Sequence, residues 1–202
     1  MGIYTIKPRF QKFLNPVKNL CVKWNIHPTL INIIALIVSI TGGLALYYSD
    51  KFSLLLLYIP LMAFVRTALN ALDGLIAREL KVKNQKFGEV LNELSDRFSD
   101  VIIFLGIAFS SFVVIYLAFI VIIFILLNSY LAILSKAAGG KRRYEGIIGK
   151  ADRMFWLSVI AIIIYFTNNY KIMNYFLWFM VVTLMITFIQ RFYNTKKELY
   201  KE

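Results

Sequence analysis

Long apolar runs broken by short polar clusters dominate this chain. Read by length, they predict transmembrane spans near residues 29–48, 53–72, 88–110, 112–135, 153–169 and 173–191. Residues 101–134 hold no charged residue. A helix over that stretch, at ~1.5 Å per residue, would be about 50 Å long, against a hydrocarbon core of ~30 Å. The run must therefore turn, and Ser110–Ser111 is the natural place. The fold class expected is all-α: a single polytopic domain of six membrane helices over residues 1–202.

Residues 8–25 follow a different pattern. Phe10, Phe13, Leu14, Val17, Cys21 and Trp24 recur on one helical stripe, with Lys12, Lys18 and Lys23 elsewhere around it. This predicts an amphipathic helix lying in the membrane interface, with Pro16 as a kink or a restart. His27, the one histidine, precedes Pro28 and reads as loop chemistry. Cys21 is the one cysteine, so no internal disulfide forms. The first apolar run starts near Ile31, behind a charged segment, and no cleavable leader is expected. Tyr47, Tyr48, Tyr165, Phe166 and Tyr170 are placed for an aromatic belt on the outer side.

Composition sharpens the class. The chain is 59% hydrophobic and 16% aromatic, yet carries a net charge of +12. Nucleic acid is not the partner that charge implies, because the basic residues sort by loop. Lys7, Arg9, Lys12, Lys18 and Lys23 precede the first span, and Arg78, Lys81, Lys83 and Lys86 lie between the second and third. Lys136, Lys141, Arg142, Arg143, Lys150 and Arg153 lie between the fourth and fifth; Arg191, Lys196, Lys197 and Lys201 follow the sixth. The other side holds Lys51 and Lys171. The positive-inside rule then places both termini and both large loops in the cytoplasm, with some attraction to anionic headgroups of the bilayer.

The acidic residues carry the chemistry. Asn70 and Asp73 share a helix face at the end of the second span, and Asn92, Asp96 and Asp100, four apart, form a stripe on the third, with Glu89 and Glu93 nearby. Charged groups at membrane depth are costly and mark function by default. On neighbouring antiparallel helices the two stripes converge just inside the cytoplasmic surface. Oxygen donors without a His or Cys cluster favour a hard cation, Mg²⁺ or Mn²⁺. Gly74 and Ala77 remove bulk beside the acids, and Arg78 offers a fork for phosphate or carboxylate. Buried ion pairs that fix helix packing are the competing account.

These residues resemble the signature of the CDP-alcohol phosphatidyltransferase family, here Asn70-x2-Asp73-Gly74-x2-Ala77-Arg78-x9-Gly88-x3-Asn92-x3-Asp96. Asn70 and Asn92 stand where the family has its first and third aspartates, and the form LNALDG…LNExxD with a later GxxGKxDR segment resembles a variant prokaryotic branch. The resemblance implies a homodimer in a prokaryotic plasma membrane, with a cytoplasmic active site that moves a phosphatidyl-type group from a CDP-linked lipid to an acceptor alcohol and releases CMP. It implies that Asp73, Asp96, Asn70 and Asn92 hold the cation and that Asp73, Gly74, Ala77, Arg78 and Gly88 hold the nucleotide. Asp96 would be the base on the acceptor hydroxyl. Asp100 or Glu93 would replace missing charge, or one metal position would be lost.

The loop at 136–153 brings Lys141, Arg142, Arg143, Lys150 and Arg153 together among Gly139, Gly140, Gly146 and Gly149. It suits the phosphate of an anionic acceptor or the donor diphosphate; topology alone is the other reading. Three alternatives remain open. They are a soluble CDP-alcohol donor with a diacylglycerol acceptor, a degenerate nucleotide- or cation-binding membrane protein, and a small transporter. Against transport, the last three spans show few polar residues and no inverted repeat.

Overall fold

A computed structural model describes residues 7–80 and 85–200. The basic residues Lys81, Lys83 and Lys201 lie outside them, as do the side chains of Lys7 and Arg9. The described chain is all-helical: α1 (Lys7–Lys23), α2 (Pro28–Tyr47), α3 (Leu55–Glu79), α4 (Gln85–Ala108), α5 (Ile115–Ala137), α6 (Lys150–Thr167) and α7 (Lys171–Leu199). Of these, α2, α3, α5 and α7 are long and apolar enough to cross a membrane. Helices α4 and α6 carry charge at their N-terminal ends and miss that measure. The turn between α4 and α5 contains Ser110, whose hydroxyl donates to the Ile107 carbonyl at 2.6 Å.

Six helices close into a ring. Going round, α2 packs on α4, α4 on α5, α5 on α7, α7 on α6, α6 on α3, and α3 back on α2. The expectation that α3 and α4 run side by side is therefore corrected. They make no extended contact, because α2 sits against both. The α2–α4 seam is tight because a Cβ on Gly106 would fall onto the Gly43 backbone.

The two ends of the ring differ. Where α2, α4 and α6 finish, it is filled by Leu46, Leu56, Ile59, Phe104, Ile107, Leu117, Ile164 and Met173, all fully buried. At the other end the side chains are polar and the ring opens. Helix α1 continues through Pro16 and packs on α3 beside that opening. Its apolar stripe divides: Leu14 and Cys21 join a small core with Ile31, Leu72 and Ile76. Phe13, Val17, Leu20 and Trp24 stay exposed. Lys18 anchors the helix to Glu79 at 2.9 Å, and His27 caps α2, its Nδ1 accepting from the Thr29 amide.

Candidate active site

Helix α3 runs to Glu79 rather than stopping near residue 72, so Asn70, Asp73 and Arg78 all sit on regular helix. Arg66 lies one turn before Asn70 on the same face. Helix α4 presents Asn92, Asp96 and Asp100 at successive turns, and α6 opens on Lys150 with Arg153 less than a turn on. Gly149 precedes α6, and its amide donates to Asp152 Oδ2 at 2.8 Å, starting the helix there.

The three helices meet in two layers. In the outer layer Asp96 Oδ1 accepts from the Asn70 amide at 3.1 Å and from the Lys150 ammonium. In the inner layer Asp100 accepts from Arg66 Nη2 at 2.8 Å and from Arg153 Nη2 at 2.6 Å. Asp100 is wholly buried, and Arg66 and Arg153 nearly so. Arg97 lies 3.9 Å from Asp96 and 3.7 Å from Asp100.

A cavity of about 1280 Å³ opens over the outer layer. Asn70, Asn92 and Asp96 line it together with the basic residues Arg142, Arg143, Lys150 and Arg153. Phe10, Pro60, Phe64 and Phe155 give the same cavity an apolar flank, as expected of a site for an amphiphile. The loop that carries its basic residues is fastened at several points. Arg143 donates to the Asn194 carbonyl at 2.7 Å and to Glu198, and Arg191 donates to the Glu145 and Asn128 carbonyls, each at 2.8 Å. Arg142 pairs with Glu93 and lies over the Tyr144 ring. Burial alone would depress its proton affinity; the hydrogen bond and charge of Glu93 outweigh that and raise it. Burial would raise the Glu145 carboxyl. Hydrogen bonds from its own backbone and Asn194, with the Arg143 charge, hold it below the usual range instead.

Oxygen donors are gathered near the outer layer. No group of three His, Cys, Asp or Glu suited to a metal occurs among the described residues. The candidate donors are the carboxylates of Asp73 and Asp96 and the amide oxygens of Asn92 and Asn32. Asn92 Oδ1 and Asn32 Oδ1 are buried with no protein hydrogen bond. Asn32, from α2, sits beside Asp73, which is itself within electrostatic reach of Asp96 and Lys150. Such a set of hard oxygens fits a divalent cation with an incomplete protein shell.

The family profile for CDP-alcohol phosphatidyltransferase matches residues 25–189. The chain belongs to that family. It is a transferase of substituted phosphate groups and a multi-pass membrane protein. The inner membrane protein YnbA of Escherichia coli is 34% identical over 167 residues, 82% of each chain. The archaetidylinositol phosphate synthase of Pyrococcus horikoshii is 28% identical over 194 residues, 96% of each. Among solved structures, the phosphatidylinositol phosphate synthase of Mycobacterium tuberculosis with CDP-DAG bound superposes with a TM-score of 0.76 at 22% identity, covering 91% of this chain and 94% of that one. The same synthase in complex with manganese and citrate gives 0.74, also at 22% identity, over 89% and 87%. At that identity the likeness is one of fold. Helix α1 falls outside the matched segment of the transferase.

The structure does not bring every sequence-derived candidate to the cavity. Asp73, Gly74, Ala77, Arg78 and Gly88 lie outside its walls, towards the C-terminal end of α3 and the N-terminal end of α4. Asp73 is buried and accepts from the Gly74 amide; Arg78 is exposed, its Nε donating to the Gly74 carbonyl at 3.0 Å. A Cβ on Gly74 or Gly88 would meet nothing within 4 Å. Lys141 is exposed beside Glu198, which accepts from its backbone amide at 3.3 Å. Asp100 lies beneath the cavity with both oxygens on arginines. Arg66, Arg97, Asn128 and Arg191 line the cavity without having been singled out by sequence. Asn128, Thr183, Thr187 and Arg191 also show that the last helices bury more polar groups than their apolar runs suggest.

Proposed function

We propose that this transferase moves a phosphatidyl-type group from a CDP-linked lipid to an acceptor alcohol, releasing CMP, as a step of phospholipid synthesis. The observation that carries this reading is the placement of Asp96, bonded to Lys150, in the lining of a large cavity that it shares with Arg142, Arg143 and an apolar flank. A carboxylate so placed can take a proton from an acceptor hydroxyl that reaches within ~2.6–3.2 Å. The basic wall suits a phosphorylated acceptor, and Lys141 extends it towards the surface.

Asp73, Asp96, Asn70 and Asn92 would hold Mg²⁺ or Mn²⁺. The ion would neutralise the donor diphosphate and stabilise the departing CMP. The open space at Gly74 and Gly88, with Ala77 and Arg78 on the adjoining turn, leaves room for the nucleotide. The substitution of Asn70 and Asn92 for carboxylates marks the variant branch and lowers the negative charge of the site. The lipid chains would lie along the apolar flank near Phe10 and Phe64.

Helices α4 and α6 complete six spans in this reading, since each is ringed between helices that can cross alone. Helix α1 lies in the interface with Phe13, Val17, Leu20 and Trp24 towards lipid. The cavity faces the cytoplasm of a prokaryotic cell, and the chain works as a homodimer. The test is CMP release from CDP-diacylglycerol or CDP-archaeol with Mg²⁺ and a panel of polyol phosphates and free polyols. Asp96→Asn should lower kcat by ~10²–10⁴ while the protein stays folded. Near-normal turnover in that variant would remove Asp96 as base. Retained CDP binding with no CMP release from any acceptor would show a degenerate site.

A further inference from the structure

Asp100 is fully buried in the ring, and its contacts are directed. Arg66 reaches it from α3 and Arg153 from α6, and the same Arg66 nitrogen lies 3.4 Å from the main-chain carbonyl of Asp96. Each of the three helices thus contributes one residue to the outer layer and one to the inner layer: Asn70 and Arg66, Asp96 and Asp100, Lys150 and Arg153. Within a helix the two are three or four residues apart, on one face.

We infer that the Arg66–Asp100–Arg153 cluster is a positioning device, which fixes the axial register and rotation of α3, α4 and α6 so that Asn70 and Lys150 meet Asp96. This rests on the transfer reading for its catalytic consequence, although not for its geometry. Three features carry it. Helices α3 and α4 have no extended contact of their own and meet directly through Arg66–Asp100 and Asn70–Asp96, so these side chains are the direct link between them. A charge-assisted guanidinium hydrogen bond is directional in a way an apolar contact is not. The cluster is also an expensive way to achieve stability alone, since a buried ion triad is often neutral or unfavourable compared with well-packed apolar residues. Arg66 Nε, Arg66 Nη1 and Arg153 Nε are buried without a protein hydrogen-bond partner.

The experiment separates placement from stability. An apolar replacement, Arg66→Met with Asp100→Leu and Arg153→Met, should leave thermal stability in detergent equal or higher. Acylation of Lys150, followed by mass spectrometry, should rise several-fold, because its ammonium no longer meets Asp96. The kcat for CMP release should fall about a hundredfold with the KM for CDP-lipid little changed, as expected for misplacement by ~1 Å. Arg66→Lys, which keeps the charge but loses the fork, is the second variant and should show the same pattern more weakly. Unchanged Lys150 labelling in the folded triple variant, or in Arg66→Lys if the triple variant does not fold, overturns the inference. If wild-type protein releases no CMP with any acceptor, the transfer reading fails, and Lys150 labelling still decides the positioning role.

Discussion

At the scale of single residues, Gly146 shows how little latitude the basic loop has. Its φ is +139°, where L side chains are rarely found, and a Cβ there would run into Thr187. Thr187 Oγ1 in turn accepts from the Ile147 amide at 3.1 Å. Gly146→Ala should cost about 1–3 kcal/mol of stability through backbone strain alone and lower CMP release further by displacing Arg142 and Arg143. A melting curve with turnover at one temperature checks both. Single residues also show what sequence reading missed. Of the 23 lysines and arginines, sorting by loop leaves out two, Arg66 and Arg97, and both line the cavity. Arg66 was detectable, because it falls at helical spacing before Asn70 and Asp73. Counting charges in loops hides a charge inside an apolar run. Asn32 gave no such signal, as a lone amide in a span reads as an ordinary polar interruption.

At the scale of elements, the α2–α4 seam is the most constrained contact. The obstacle at Gly106 is the backbone of Gly43, which no rotamer change removes. Gly106→Ala should therefore push the helices apart and destabilise the protein by about 1–3 kcal/mol, as overpacking does, whereas Gly74→Ala places its Cβ where nothing lies within 4 Å and should leave the fold intact. Circular dichroism melts of the two variants give the comparison. The helices themselves were legible from the lengths of the apolar runs, including the turn at Ser110–Ser111. Their order around the ring was not. Periodicity says which face of a helix is apolar, not which neighbour covers it, and so α3 and α4 were expected side by side. The pairing of Lys150 with Asp96 joins residues 54 apart, and nothing in local spacing announces it.

For the whole molecule, the charge asymmetry and the cavity are two sides of one arrangement. The end of the ring rich in Lys and Arg is the end that opens. Chelation by EDTA should abolish CMP release, and Mn²⁺ or Mg²⁺ should restore it; activity unchanged by chelation would remove the divalent cation from the proposal. Orientation can be checked in a Cys21→Ser background. A cysteine at Lys171 should react with an impermeant maleimide in intact cells, and one at Lys196 only after permeabilisation. Labelling in the opposite order would invert the assigned sidedness.

The buried cluster has a consequence for how the chain is made. Asp100 emerges 34 residues after Arg66 and 53 residues before Arg153. During synthesis Arg66 arrives first, on a helix long and apolar enough to enter the bilayer by itself, and its charge is costly there until a partner follows. In the six-span reading the nascent α3–α4 hairpin would supply that partner from within, and the first half of the protein would leave the insertion machinery with Arg66 and Asp100 already matched. Helix α6 then docks against a carboxylate that is half satisfied, and closing the ring completes the match. A chain interrupted between Arg66 and Asp100 would strand a lone guanidinium in lipid and present quality control with an orphan segment. One interrupted after α4 would not.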